Sequence, residues 1–252
     1  VTRSFISGTA ALDAYLADGF DKVPGMSSRF SATICGHLLR RQSELGIRGS
    51  VAEIGAFEGR FLIAMGHALA PGEHAYGFDV FTWPDDRVLD RFVANAERHG
   101  LERSRFTPRP FDTGKLTVDE FAGLTGRGPL RFIHIDGDHS PEPLTHDLEL
   151  AHARLHPQGL ICLDDMLHPS YPFLVVTVHA YLTAHPDMVL MCVIDREDIV
   201  AAPKFLICRR DAVALYETDL MQSFPAQHFV LGGDAMGHHC VVLTPNPRLA
   251  EV

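Results

Sequence analysis

Short apolar runs alternate with longer segments of helical period along most of this chain. SVAEIG (50–55), HAYGFDV (74–80), LRFIHID (130–136) and GLICLDD (159–165) read as strands, and SRFTPRP (104–110) as a weaker one. Between them RFLIAMGHAL, a stretch near 85–99, LTHDLELAHARL and FLVVTVHAYLTAH (173–185) carry the helical pattern. Two late runs, MVLMCVID and KFLICRR, flank the polar REDIVAAP and predict an antiparallel pair. Strand and helix in alternation imply parallel strands with crossover helices on both faces. The fold class is therefore α/β: a Rossmann-like, doubly wound, mostly parallel sheet with an antiparallel last strand pair and an N-terminal helical addition. No repeat, low-complexity tract or linker interrupts the pattern, so residues 1–252 read as one domain. Within it, 1–49 is the helical addition, 50–210 the core and 211–252 a C-terminal extension, in which FVLGGDAMGHHCVVL (229–243) reads as a hairpin.

Composition narrows the partners. Apolar residues make up 46% of the chain and charged residues 21%, the balance of a soluble globular protein. A net charge of −10 without any Lys/Arg block argues against nucleic acid or an anionic membrane as partner, because polyphosphate binding needs a basic face. No run is long and apolar enough to span a bilayer, and the N-terminal stretch lacks a continuous apolar region. Five cysteines, odd in number and without a CxxC, read as buried free thiols, so a cytoplasmic location is expected.

In open α/β sheets ligands bind beyond the carboxyl ends of the strands, and four such ends carry chemistry here. VAEIGAFEGRF (51–61) places Glu53 and Gly55 at a strand end and Gly59 at a helix start, where glycine lets backbone approach a ligand. It is not the dinucleotide fingerprint GxGxxG, since Phe57 occupies the second glycine position, which disfavours an NAD-linked oxidoreductase. The next strand ends in Asp79, suited to a ribose diol. FIHIDGDHSPEP (132–143) then brings Asp136, Asp138 and His139 to a third end, and Asp164-Asp165 close a fourth. His134, on the strand itself, reads as a satisfied interior histidine, and the adjacent His238 and His239 would face opposite ways on a strand.

EIGAFEG with the acidic end of strand two resembles motif I and its partner in class I S-adenosylmethionine-dependent methyltransferases. FIHIDGDHSPEPLTHDLELAHARLHPQGLICLDDM (132–166) is similar to small-molecule O-methyltransferases, in particular metal-dependent enzymes that methylate sugar hydroxyls of macrolides and other glycosylated natural products. The resemblance spans roughly residues 50–210. It implies that S-adenosyl-L-methionine is held at its methionine end by Glu53, Gly55, Ala56, Phe57 and Gly59. Asp79 would hold the ribose, Val80 and Phe81 would flank the adenine, and Asp112 would meet its amino group. Where the family commonly has Ser or Thr this chain has Phe61, so Arg60 is expected to replace that contact near the cofactor carboxylate. Asp136, Asp164 and Asp165 take the places of the metal carboxylates, and His139 that of the base, with Asp138 as its competitor.

Three converging carboxylates repel one another unless a cation or protons intervene, and all-oxygen ligation suits Mg²⁺, Mn²⁺ or Ca²⁺. The expected activity is O-methylation of a hydroxylated small molecule, such as a sugar of a secondary metabolite. Two alternatives stand: a metal-independent enzyme in which His139 acts alone, and a cofactor-binding regulatory protein without catalysis. The acceptor and the oligomeric state, a homo-oligomer included, stay open at this point.

Overall fold

The computed structural model describes residues 6–126, 128–198, 200–228 and 233–245. Helices α1 (Ala10–Asp18) and α2 (Arg29–Glu44) come first, and α2 starts at Ser28, whose hydroxyl accepts from the Ser31 N–H. Then β1 (Ser50–Ile54), α3 (Arg60–His67), β2 (Ala75–Asp79), α4 (Val88–Arg98), β3 (Phe106–Pro110) and α5 (Val118–Leu124) alternate. They are followed by β4 (Leu130–Ile135), α6 (Pro141–Arg154), β5 (Leu155–Leu163), α7 (Phe173–Ala184), β6 (Met188–Ile194) and β7 (Lys204–Arg209). Helix α8 (Glu217–Ser223) and the strands β8 (Gly233–Ala235) and β9 (His238–Leu243) complete the described chain.

The sheet order is β3-β2-β1-β4-β5-β7-β6-β9-β8. Strands β1 to β5 pair in parallel, and β7 inserts antiparallel between β5 and β6, as the two late apolar runs predict. The C-terminal extension joins the sheet: β9 pairs parallel to β6 and antiparallel to β8, forming the predicted hairpin, of which residues 229–232 lie outside the described residues.

Central strands are apolar on both faces because helices cover both. Along β4, Phe132 points to one apolar cluster with α1 to α4 and α8, while Ile133 and Ile135 point to the other with α5 to α7. The N-terminal helices are thus a wall of the core, not an appendage. Arg131, fully buried on β4, pins this wall. Its Nε donates to the Gly49 carbonyl (3.2 Å), Nη1 to Leu39 and Gln42, and Nη2 to Ala68 and Glu73 (2.6 Å). A buried guanidinium with all five donors placed and a carboxylate partner is a stable arrangement.

Candidate functional site

Strand order reverses between β1 and β4, and a cavity of about 770 Å³ opens there, at the carboxyl ends of β1, β2, β4 and β5. Gly55 sits on its wall at φ +86°, and a Cβ there would lie 1.8 Å from the Asp136 carbonyl oxygen. The chain itself therefore demands this glycine, because the backbone leaving β4 crosses it. Gly59 (φ +91°) starts α3 and packs on the Phe92 ring, which a Cβ would meet at 3.1 Å; it is off the cavity wall. Ligand approach, expected from the sequence, is a reason that fits Gly55 only.

Asp79 ends β2 on the cavity wall. Its two carboxylate oxygens accept from the Phe57 N–H (2.8 Å) and the Phe81 N–H (2.7 Å), fixing both turns while leaving lone pairs for a diol. Phe57 and the half-exposed Val80 line the cavity as expected. Phe81 does not: it is buried edge-on against Phe92. The exposed aromatic edge is supplied by Trp83, 66% exposed and 5.5 Å from Phe57 between ring centroids, and by Phe111. Asp112 lines the same end, accepting from the Gly114 N–H and pairing with Lys115 at 2.9 Å. Ala56 is buried beside the wall. Arg60 turns away from this cavity. Its Nε donates to the Val23 carbonyl (2.6 Å), and it lines a smaller cavity of about 230 Å³ that shares Met26 and Val200 with the first.

Glu53 is also displaced from the expected position. Side chains alternate along a strand, so Glu53, His134 of β4, Asp164 after β5 and Lys204 of β7 form a row on the α2–α3 side of the sheet. Glu53 Oε1 meets His134 Nδ1 at 2.8 Å, and Lys204 Nζ donates to His134 Nε2 at 3.1 Å. Lys204, 1% exposed, forms an ion pair with Asp164 Oδ2 and donates to Ser27 Oγ (3.1 Å), which itself donates to Asp164 (3.2 Å). Its ammonium stands 4.9 Å from the centroid of Phe61, so the unexpected phenyl is a cation–π floor for a buried lysine. Burial, the largest single influence, would raise the Asp164 pKa, but Lys204 and His134 together outweigh it and hold the carboxyl well below the usual range. His134 is the satisfied interior histidine expected from its strand position.

The cavity side is arranged differently. His139 Nε2 lies 2.6 Å from Asp165 Oδ2 and 3.6 Å from Asp136 Oδ1, yet makes no aligned hydrogen bond. One donor atom from each of Asp136, His139 and Asp165 fits within 4.8 Å of the others. Asp164 shares such a spacing with His134 and Asp136 but not with Asp165. The structure therefore divides the three carboxylates expected as one set: Asp136 and Asp165 gather round His139, and Asp164 goes to Lys204. Asp165 holds this position at φ +57°, its N–H donating to Asp164 Oδ1 (2.8 Å). Burial first, then the nearby Asp164 charge, pushes the Asp136 pKa up to about 7. Asp136 and Asp165 in turn push the His139 pKa up to about 10. Asp138 lies on the wall and accepts from the Ser140 hydroxyl at 2.5 Å.

Three residues of this site escape the sequence reading. Lys204 left little signal, because a lysine at the first position of an apolar strand reads as its solvated end. Asp147 left one, as the acid on the apolar face of α6 beside Leu144, Leu148 and Ala151. It lines the cavity with Oδ1 buried and unpartnered, and burial pushes its pKa up to about 6. Tyr171 left none. It stacks on His139 at 4.3 Å and on His168 at 4.9 Å, holding both imidazoles on the cavity wall. His238 and His239, on β9, are outside this wall.

Comparison with known proteins agrees with this geometry. Residues 52–166 match the family model described as a methyltransferase domain. No curated protein matches the chain. Among solved structures, TomG of Streptomyces achromogenes, an O-methyltransferase of tomaymycin synthesis in complex with S-adenosylmethionine, aligns at 18% identity and TM-score 0.54. The match covers 79% of this chain and 89% of TomG. An O-methyltransferase of Bacillus cereus bound to S-adenosylhomocysteine aligns at 17% identity and TM-score 0.55, covering 80% and 91%. CalS11, a TDP-rhamnose 3′-O-methyltransferase of calicheamicin biosynthesis, aligns at 18% identity and TM-score 0.55, covering 80% and 92%. The fold is the one these enzymes share, and the resemblance to class I methyltransferases stated from the sequence holds.

Proposed function

From a core segment of the methyltransferase-domain family in the fold of O-methyltransferases, we propose that this chain transfers a methyl group from S-adenosylmethionine to a hydroxyl of a small molecule. The acceptor class that the similar enzymes suggest is a sugar or another vicinal diol, CalS11 acting on TDP-rhamnose. The observation that carries the reading is the juxtaposition of Asp136, His139 and Asp165 with the Asp79 end of one cavity. Asp79 would hold the ribose diol; Trp83, Val80 and Phe111 would border the adenine; Asp112 and the unpartnered Asp147 oxygen would accept from its amino group. Gly55 and Phe57 would border the methionine end, with Glu53 acting from behind the wall through His134 and Arg60 from the smaller cavity.

A divalent cation fits the Asp136 and Asp165 carboxylates, with His139 left free beside it, better than the three carboxylates expected from the sequence, because Lys204 already neutralises Asp164. Such an ion, Mg²⁺ or Mn²⁺ by ligand chemistry, supplies positive charge that lowers the pKa of an acceptor hydroxyl. The carboxylates that would hold it decide what His139 can do. Alone with them, His139 is an imidazolium at neutral pH and has no lone pair for a proton. With their charge countered, the imidazole would return toward its ordinary range and could accept the hydroxyl proton as general base. Asp138, already engaged by Ser140, orients the turn. This coupling favours the cation-dependent reading over one in which His139 acts alone.

Calorimetry with S-adenosylhomocysteine and with NAD tests the cofactor: binding of the first and not the second is expected, and the reverse ends the reading. Asp79→Ala should weaken the first by about 1–3 kcal/mol, the cost of leaving hydrogen-bonding partners unpaired. Methyl transfer to a panel of vicinal-diol sugars, before and after chelation, tests the acceptor and the cation together.

A further inference from the structure

A second cluster of ligand-type side chains lies away from the cavity, where the last turn of α6 meets the end of α7. Glu149 and His152 project from α6 at a spacing of i and i+3, and His185 follows α7 directly. One donor atom from each lies within 4.8 Å of the other two. We propose that Glu149, His152 and His185 form a zinc site that clamps α6 to α7.

The hydrogen-bond pattern argues for a missing cation. His185 Nδ1 is 3.0 Å from the Tyr181 carbonyl oxygen, which can only accept, so the ring hydrogen resides on Nδ1. In the neutral ring the lone pair is then on Nε2, and Nε2 faces Glu149 Oε1 at 3.4 Å. Two acceptors oriented at each other need a positive charge between them. At 3.4 Å the pair is too far apart for a good hydrogen bond. It matches the edge of a tetrahedron with metal–ligand bonds of roughly 2.0–2.1 Å, which is about 3.3–3.4 Å. His152 is held by the other end of Tyr181, whose hydroxyl can donate or accept. Its Nδ1 is 2.9 Å from the Tyr181 hydroxyl and its Nε2 is 3.5 Å from Asp187 Oδ2.

Tyr181 therefore orients both imidazoles through their Nδ1 atoms, one by its carbonyl and one by its hydroxyl. That is how metal-binding histidines are commonly held by the groups behind them. The rings meet edge to face at 5.1 Å, and His185 stacks on Tyr181 at 4.3 Å. Asp187, paired with Arg209 at 2.6 Å, borders an open side where water can complete the shell. Two imidazoles and one carboxylate are a zinc set, and the same atoms would take cobalt. The clamp has mechanical meaning, because α6 begins after the Asp136–His139 turn and α7 after the Asp165–Tyr171 loop.

The cavity donors must be silenced to test this site alone. A background carrying Asp136→Ala and His139→Ala is stripped with a chelator and titrated with Co²⁺ and then Zn²⁺. The expected result is one ion per chain, the strong visible absorption of four-coordinate cobalt, and a melting temperature raised by zinc. Adding His185→Ala, or separately the exposed Glu149→Gln, should weaken binding about 100-fold or more and remove the thermal shift. Melting of each variant in chelator, compared with the background, shows whether it is folded. Folded variants that bind zinc as the background does overturn the proposal, as does a background that takes up no metal; the His185–Glu149 contact would then be a protonated ion pair.

Discussion

Asp164 and Asp165 are neighbours in the chain that both border the cavity, yet they meet different partners. Asp164, 8% exposed, is turned under the sheet end to a buried lysine, a serine hydroxyl and the edge of an interior histidine. Asp165, one residue on, faces the cavity and a histidine that shares it with Asp136. The first carboxylate has its cation built in; the second group has charge left over. A buried pair of this kind is costly to break and gains little over an apolar substitute, whereas an acidic cluster on the cavity wall can take its counter-ion from solvent. One set holds the strand ends in place, and the other is free to do chemistry.

Breaking the inner set should have the largest effect. Lys204→Met leaves the buried Asp164 carboxylate without its lysine, and should cost about 3–5 kcal/mol in denaturant unfolding. Lys204→Met combined with Asp164→Asn should recover much of that loss, since no charge is then stranded. A double variant no more stable than the single one would mean that Lys204 acts by packing on Phe61 instead.

In the outer set the loss should appear in rate, not stability. His139→Ala should lower turnover roughly 10²–10⁴-fold while leaving S-adenosylhomocysteine affinity nearly unchanged. Asp138→Asn should do less. Single-turnover pH profiles of the two variants separate the roles, and reversed losses would make Asp138 the base.

The smallest effect sharpens the comparison through pH. The folded-state pKa of Asp136 is raised from the ordinary carboxylate range to about 7. A raised carboxyl pKa means that the folded chain holds a proton the unfolded chain has released. The stability it lends is fully present below the ordinary carboxylate pKa and is lost as pH rises from there to about 7. Asp136→Asn should therefore stabilise the chelated protein at pH 8 by on the order of 1–3 kcal/mol and do little near pH 4. Mg²⁺ should stabilise the parent at pH 8 and not this variant. Melting curves at the two pH values, with and without the ion, check both statements.

What the sequence determined by itself was local. Periodicity placed β1, β2, β4, β5, α6 and α7 close to where they lie, because alternation and helical period depend only on near neighbours. It also brought Asp79, Asp136, His139 and Asp165 to strand ends facing one cavity, since strand polarity and the crossover rule fix that edge. Tertiary structure decided which partner each charged group met. Glu53 and Asp164 went inward because the N-terminal helices cover their face of the sheet, and because Lys204 arrives on an inserted antiparallel strand. Gly55 answers to the Asp136 carbonyl, Phe61 to Lys204, and the fate of Phe81 to Phe92. A strand pattern tells which residues share a face, but not what will cover that face. The charge left after long-range pairing is settled only when every partner is in place.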